Sequence, residues 1–166
     1  IESQFKLVKD LESRTIKRVY AAIVYGTPPY RAGEVDLALG RHPKERKRVA
    51  VRLNGKSART HYSVAEKFEG HSLLRCELDT GRTHQIRVHM QALGNPIVGD
   101  VAYGGHFRRS KSDGRELEEM LKAFPRQALH ARKLVLNHPK NGKKISFLAP
   151  TPMDFQNLLE TLRHVD

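Results

Sequence analysis

Between Leu78 and Gly105 the run LDTGRTHQIRVHMQALGNPIVGDVAYGG gathers two arginines, two histidines and two aspartates. Arg82 precedes a helical pattern, and a cation beside the free amides of a helix N-terminus can hold a phosphate or a carboxylate. Arg87 falls one turn further in. Taken alone, a helical arginine is more often the partner of a structural carboxylate, here Asp100. His84 and His89 stand five apart, which does not place them on one helical face as the ligands of a His-Glu-x-x-His metal site would be. Neither a Gly-x-Ser-x-Gly elbow nor a phosphate-cradling Walker loop occurs, so hydrolase and nucleotide-loop chemistry have no support. Structural roles are expected of both aspartates. Asp79 ends a strand beside Gly81, and Asp100 is expected to fix the glycine-rich turn by accepting backbone hydrogen bonds.

These side chains need elements to hold them. Ile86, Met90 and Leu93 make an apolar stripe that predicts a helix from about Thr83 to Leu93, with Gly94 as a left-handed cap. His84, Arg87 and Gln91 then share another face. Lys17 to Tyr25 (KRVYAAIVY) reads as a strand that stops at Gly26-Thr27-Pro28-Pro29. Thr60 to Phe68 and His71 to Leu78 read as an antiparallel pair across Glu69-Gly70. Leu129 to Leu136 and Lys144 to Leu148 flank His138-Pro139-Lys140-Asn141-Gly142, and Asn-Gly between alternating runs signals a hairpin. Helices are expected at the first dozen residues (Ile1, Phe5, Val8, Leu11), at Leu117 to Phe124, and after Thr151-Pro152-Met153-Asp154, with Thr151 as cap and Pro152 at the first helical position. Hairpins mixed with helices, without strand–helix alternation, predict a single α+β domain on a mixed, mainly antiparallel sheet flanked by helices.

Charge narrows the partners. The chain has 166 residues, and 30 Lys and Arg against 18 Asp and Glu leave a formal charge of +12. That favours a polyanion such as RNA or DNA, although a basic protein without chemistry would share it. Arg41, Lys44, Arg46, Lys47 and Arg48 form one candidate phosphate-binding patch, Arg108, Arg109 and Lys111 a second, and Arg82 and His84 flank the helix start. The Arg41 to Arg52 run itself reads as a solvated loop or hairpin. Cys76 is the one cysteine, which excludes an internal disulfide and a thiolate zinc site. No apolar run reaches the ~20 residues needed to span a bilayer, and a soluble cytoplasmic protein is the expectation.

The Leu78 to Gly105 stretch resembles, nearly end to end, the signature of the RluA-type family of RNA pseudouridine synthases. Gly81 to His89 matches Gly-Arg-Thr-His-Gln-Ile-Arg-Val-His, and Gly99 to Gly104 matches Gly-Asp-x-x-Tyr-Gly. Arg18-Val19-Tyr20-Ala21-Ala22 resembles the family's Arg-x-Tyr-x-Ala segment. Gln127-Ala128-Leu129-His130-Ala131 through Leu134, with His138-Pro139, is similar to a later strand. From Arg41-His42-Pro43 to Thr60-His61-Tyr62 the pattern is most similar to the D-type branch, which modifies bacterial large-subunit ribosomal RNA. The resemblance spans about Lys17 to Pro150.

That resemblance implies isomerisation of uridine to pseudouridine, in which the glycosidic bond breaks, the base turns and a bond to carbon forms, with no cofactor and no metal. It implies RNA as partner, large-subunit ribosomal RNA above all, a monomer, and no membrane. Tyr20 matches the tyrosine that stacks on an extruded base, since an aromatic face stabilises the flipped state. Arg87 matches the arginine that holds the catalytic aspartate ionised. Leu134 matches an aliphatic residue that keeps water from the reacting sugar. The family's nucleophile sits in an Arg-Leu-Asp-x-x-Thr-Ser/Thr-Gly segment ahead of Arg-x-Tyr-x-Ala. Asp10, in Val-Lys-Asp-Leu-Glu, lacks that setting. The nucleophile is therefore expected upstream of Ile1, with this chain as the C-terminal part of a single catalytic domain and inactive alone. A noncatalytic RNA-binding or ribosome-assembly module that retains the fold is the competing expectation.

Overall fold

The computed structural model describes residues 4, 10, 16–110 and 113–164. Their order is β1 (Lys17–Tyr25), β2 (Ala32–Asp36), β3 (Leu39–Arg41), β4 (Val49–Val51), β5 (Arg59–Lys67), β6 (His71–Leu78), α1 (Gln85–Ala92), a 3-10 turn (Val101–Tyr103), α2 (Arg115–Ala123), β7 (Leu129–Asn137), β8 (Lys144–Leu148) and α3 (Met153–Arg163). Six strands make one sheet in the order β2-β5-β6-β1-β7-β8, and β3 with β4 forms a separate hairpin. Every pairing among the described strands is antiparallel, the pure form of the mainly antiparallel α+β sheet expected.

β1 is central because both of its edges are paired, to β6 and to β7, and Ala22, Ile23 and Val24 are fully buried there. A register shift between Val19 and Tyr20 in the β7 pairing re-aims the start of the strand. Ile86 and Met90 of α1 and Phe155, Leu158 and Leu162 of α3 join Leu74 and Cys76 in the main core. A smaller cluster of Leu39, Ala58, Val88 and Tyr103 seats the β3–β4 hairpin against α1. Burial pushes the Cys76 thiol up to about 12, which makes it a core filler.

The expected β1, β6 and β7–β8 elements form. The hairpin turn closes through His138 N to Lys143 O, with Gly142 at φ 69. The Arg41 to Arg52 run resolves into a hairpin, with Lys44, Arg46, Lys47 and Arg48 between β3 and β4. β2 went unread, since Ala32–Asp36 carries one buried apolar residue, Val35, and no alternation.

Two helix starts differ from expectation. α1 opens at Gln85, because His84 adopts φ 55 and ψ 21, a left-handed geometry that cannot continue a helix. In α3, Pro152 takes the cap position in place of Thr151, with φ −62 and ψ 148 and no side-chain cap bond. Asp154 is instead engaged by Arg126, through two hydrogen bonds of 2.8 Å. The helix expected at the first dozen residues lies, apart from Gln4 and Asp10, outside the described residues, as does Lys111.

Candidate active site

The turn between β6 and α1 is held by one glutamine. Gln85, 2% exposed, accepts from the Thr80 hydroxyl (2.7 Å) and from Arg82 N (3.0 Å). Its Nε2 donates to Arg59 O (2.9 Å) and Thr60 Oγ1 (3.0 Å). All four of its hydrogen-bonding positions are used, so the Thr80–Thr83 turn is stapled to β5. The Arg18 guanidinium lies across Gly81, where a Cβ would displace it. Arg18 Nε is buried without a hydrogen-bond partner among the described residues.

Beside this turn lies a cavity of about 270 Å³, walled by Tyr20, Arg82, His84, Arg87, Gln127 and Leu129 among others. The structure thus brings Tyr20 and Arg87 together with Arg82 and His84. Leu134 is half-buried on β7, opposite Arg18 and Phe147, and is not among the residues that line this cavity, whereas Leu129 is. The register shift beside Tyr20 sets Leu129, paired with Ala22, and Leu134, paired with Arg18, on the same face of the sheet as Tyr20, which spacing alone does not reveal.

Arg87 forms a two-pronged ion pair with Asp100, Nε to Oδ2 and Nη2 to Oδ1, both 2.7 Å. The Asp100 side chain is 1% exposed and that of Arg87 16%. The pairing that residue type alone favours is therefore made, and the expectation that Asp100 accepts backbone hydrogen bonds is corrected. Backbone groups close that turn by themselves: Asp100 O accepts from Tyr103 N and Gly105 N. The Asp100 hydrogen bonds raise the Arg87 pKa, and the fork leaves Nη1 free of hydrogen-bond partners among the described residues.

Tyr103, 1% exposed, is held on three sides. Its hydroxyl accepts from Val49 N (3.0 Å) and lies 2.7 Å from His84 Nδ1. Arg87 and Arg48 stack over its ring at 4.7 and 5.2 Å. Burial first, then the Arg87 charge, lowers the His84 pKa, so the ring is held neutral. His89 is buried deeper in the same helix, with Nδ1 2.8 Å from Thr60 Oγ1 and Nε2 3.0 Å from Leu37 O. Asp79 reaches His61 Nε2 at 2.9 Å, a strand-end role.

A second cavity, of about 460 Å³, lies between the hairpin and the turn, with Arg41, Lys56, Arg82 and Thr83 in its wall. Arg82 borders both cavities and donates from Nε to Ser57 O. Lys44, Arg46 and Lys47 are exposed on the hairpin. Arg48 is turned inward onto Glu45 and Tyr103. Arg108 donates to Gly104 O, and Arg109 pairs with Glu118. The described residues hold no cluster of three or more metal-ligating side chains, and no helix among them is long and apolar enough to cross a membrane.

Residues 2–92 match the family described as RNA pseudouridylate synthase. The chain belongs to that family. Among its relatives, a protein named ribosomal large subunit pseudouridine synthase D from Pseudomonas aeruginosa is 47% identical over 163 residues, covering 98% of this chain and 51% of that one. The synthase of the same name from Nitrosomonas europaea is 47% identical over 165 residues, 99% of this chain and 46% of that one. The chain spans about half the length of these curated relatives. Two solved human structures share the synthase fold. RNA pseudouridylate synthase domain containing 4 aligns with TM-score 0.73 and 24% identity over 96% of this chain and 67% of that one. RNA pseudouridylate synthase domain containing 1 aligns with TM-score 0.68 and 26% identity over 96% and 71%.

Sequence reasoning missed Gln85 and Tyr103 as organisers and Leu129 as a wall residue. Gln85 and Tyr103 lie inside the recognised motif, but their partners, Arg59, Thr60 and Val49, are 25 or more residues away, and no local signal links them.

Proposed function

We propose that this chain is the C-terminal part of a pseudouridine synthase catalytic domain acting in the cytoplasm on uridines of large-subunit ribosomal RNA. The observation that carries the reading is the cavity in which Tyr20 and Arg87 meet within the family's own motifs. Tyr20 stacks on the extruded uracil. Arg87 is held rigid by Asp100 through two of its nitrogens and keeps Nη1 for a second carboxylate, the nucleophilic aspartate supplied by an upstream segment. A prepaired guanidinium suits that role, because its orientation no longer depends on the carboxylate it receives.

The exposed cations of the β3–β4 hairpin, with Arg82, position phosphates and do not read sequence. Leu129 and Leu78 keep the cavity wall apolar beside the sugar. RNA binds a monomer in this reading, and the chain's own residues need no cofactor for these roles.

The test is tritium release from C5-labelled uridine in large-subunit ribosomal RNA by the complete gene product. Release, with loss of release on replacing the upstream aspartate, is the expected result. Salt-sensitive RNA binding without release would overturn the reading in favour of a noncatalytic RNA-binding module.

A further inference from the structure

Val49 N–H donates to the Tyr103 hydroxyl oxygen at 3.0 Å, so the hydroxyl hydrogen must find an acceptor elsewhere. His84 Nδ1, at 2.7 Å, is the acceptor within reach. The reverse arrangement, with Nδ1–H donating to the oxygen, would strand the hydroxyl hydrogen of a residue that is 1% exposed. A neutral imidazole that accepts at Nδ1 carries its proton on Nε2. That nitrogen has no hydrogen-bond partner among the described residues and is not buried, and the ring lines the cavity that holds Tyr20.

Resting on the synthase reading above, we infer that His84 is a tautomer-locked hydrogen-bond donor, presenting Nε2–H to a carbonyl oxygen of the uracil stacked on Tyr20. Uracil offers two carbonyl acceptors, and a neutral donor engages one of them without adding charge beside Arg87. Burial and the Arg87 guanidinium over the Tyr103 ring oppose an imidazolium at this position and outweigh the nearby Asp100 carboxylate. The backbone is specialised to the same end. His84 is the one non-glycine residue with positive φ among those described, and that left-handed turn accompanies the contact of its ring with Tyr103. His89 carries the same pattern in the core, with Nε2 donating to Leu37 O and Nδ1 facing a hydroxyl. Because Val49 belongs to β4, the donor's tautomer depends on seating of the basic hairpin.

The experiment uses the complete gene product labelled with ¹⁵N-histidine. Two-bond proton–nitrogen correlation spectra at pH 7 are expected to show His84 as the Nε2–H tautomer, with His89 as an internal reference. Tyr103→Phe is expected to release His84 into a mixture of tautomers while leaving the His89 signal unchanged. In turnover, His84→Gln, whose amide can reach the Nε2 position, is expected to stay within about 3-fold of the parent. His84→Asn is expected to lose about 10-fold in kcat with KM little changed, the scale of one lost hydrogen bond. Asparagine tolerates the left-handed backbone better than glutamine, so a purely conformational role predicts the opposite order. An Nδ1–H tautomer or an imidazolium at pH 7, or Asn outperforming Gln, overturns the inference. An Nε2–H tautomer in a protein without turnover upholds the locked donor and removes the synthase reading, so the two fail separately.

Discussion

Two arginine–aspartate forks of nearly the same geometry occur in this molecule. Arg87–Asp100 closes at 2.7 Å on both prongs beneath the cavity, and Arg126–Asp154 closes at 2.8 Å on both prongs at the start of α3. Their burial separates them. The first pair has side-chain exposures of 16% and 1%, the second 35% and 31%. Hydrogen-bond geometry therefore says little about what each is worth. In the more buried site a removed partner leaves a charge that water solvates poorly, whereas in the half-exposed site water and salt take over much of the lost interaction.

The largest effect is expected at the buried fork. Asp100→Ala should destabilise the fold by about 3–5 kcal/mol in urea denaturation, because Arg87 is left uncompensated. A loss below about 1 kcal/mol would break the comparison by showing that solvent reaches both forks equally. Arg126→Ala should cost about 1 kcal/mol, after allowing for screening at a pair roughly one-third exposed. The Arg126 hydrogen bonds also hold the Asp154 carboxyl below its ordinary value of 3.8. A depressed folded pKa means stability that is fully present above pH 3.8 and lost as pH falls through the folded value. Acid titration of stability should show that loss in the parent and a smaller one in Arg126→Ala; equal slopes would remove Asp154 from the account. The smallest change belongs to Arg115→Ala. Its i,i+4 partner Glu119 and the arginine are 68% and 92% exposed, so about 0.3 kcal/mol is expected by thermal melting.

The two forks also differ in how far they could be read beforehand. Asp100 was a foreseeable partner of Arg87, since both lie in one motif and the helix-to-turn geometry between them is short. Asp154 appeared to be a capping-box acid, because Thr151-Pro152-Met153-Asp154 has the right spacing. Arg126, 28 residues earlier in the chain, captured it once α3 folded back beside the start of β7.

Local sequence determined the elements whose cause is local. β1, β6 and the β7–β8 hairpin follow from alternating apolar residues and from glycine turns, because those preferences act within a few residues. Gly94 ends α1 at φ 85, as its place after Leu93 implied. The resemblance carried by Gly81 to Gly104 identified the family before any fold was in hand. Tertiary structure alone decided how those motif residues are used. Sheet register put Arg59 and Thr60 against Gln85, the separate β3–β4 hairpin delivered Val49 to Tyr103, and the register shift beside Tyr20 set Leu129 and Leu134 on one face of β7, with Leu129 in the cavity wall. Hydrogen-bond partners are chosen by which segments become neighbours, and neighbours 25 to 54 residues apart are set by strand pairing and core packing, not by any window of sequence.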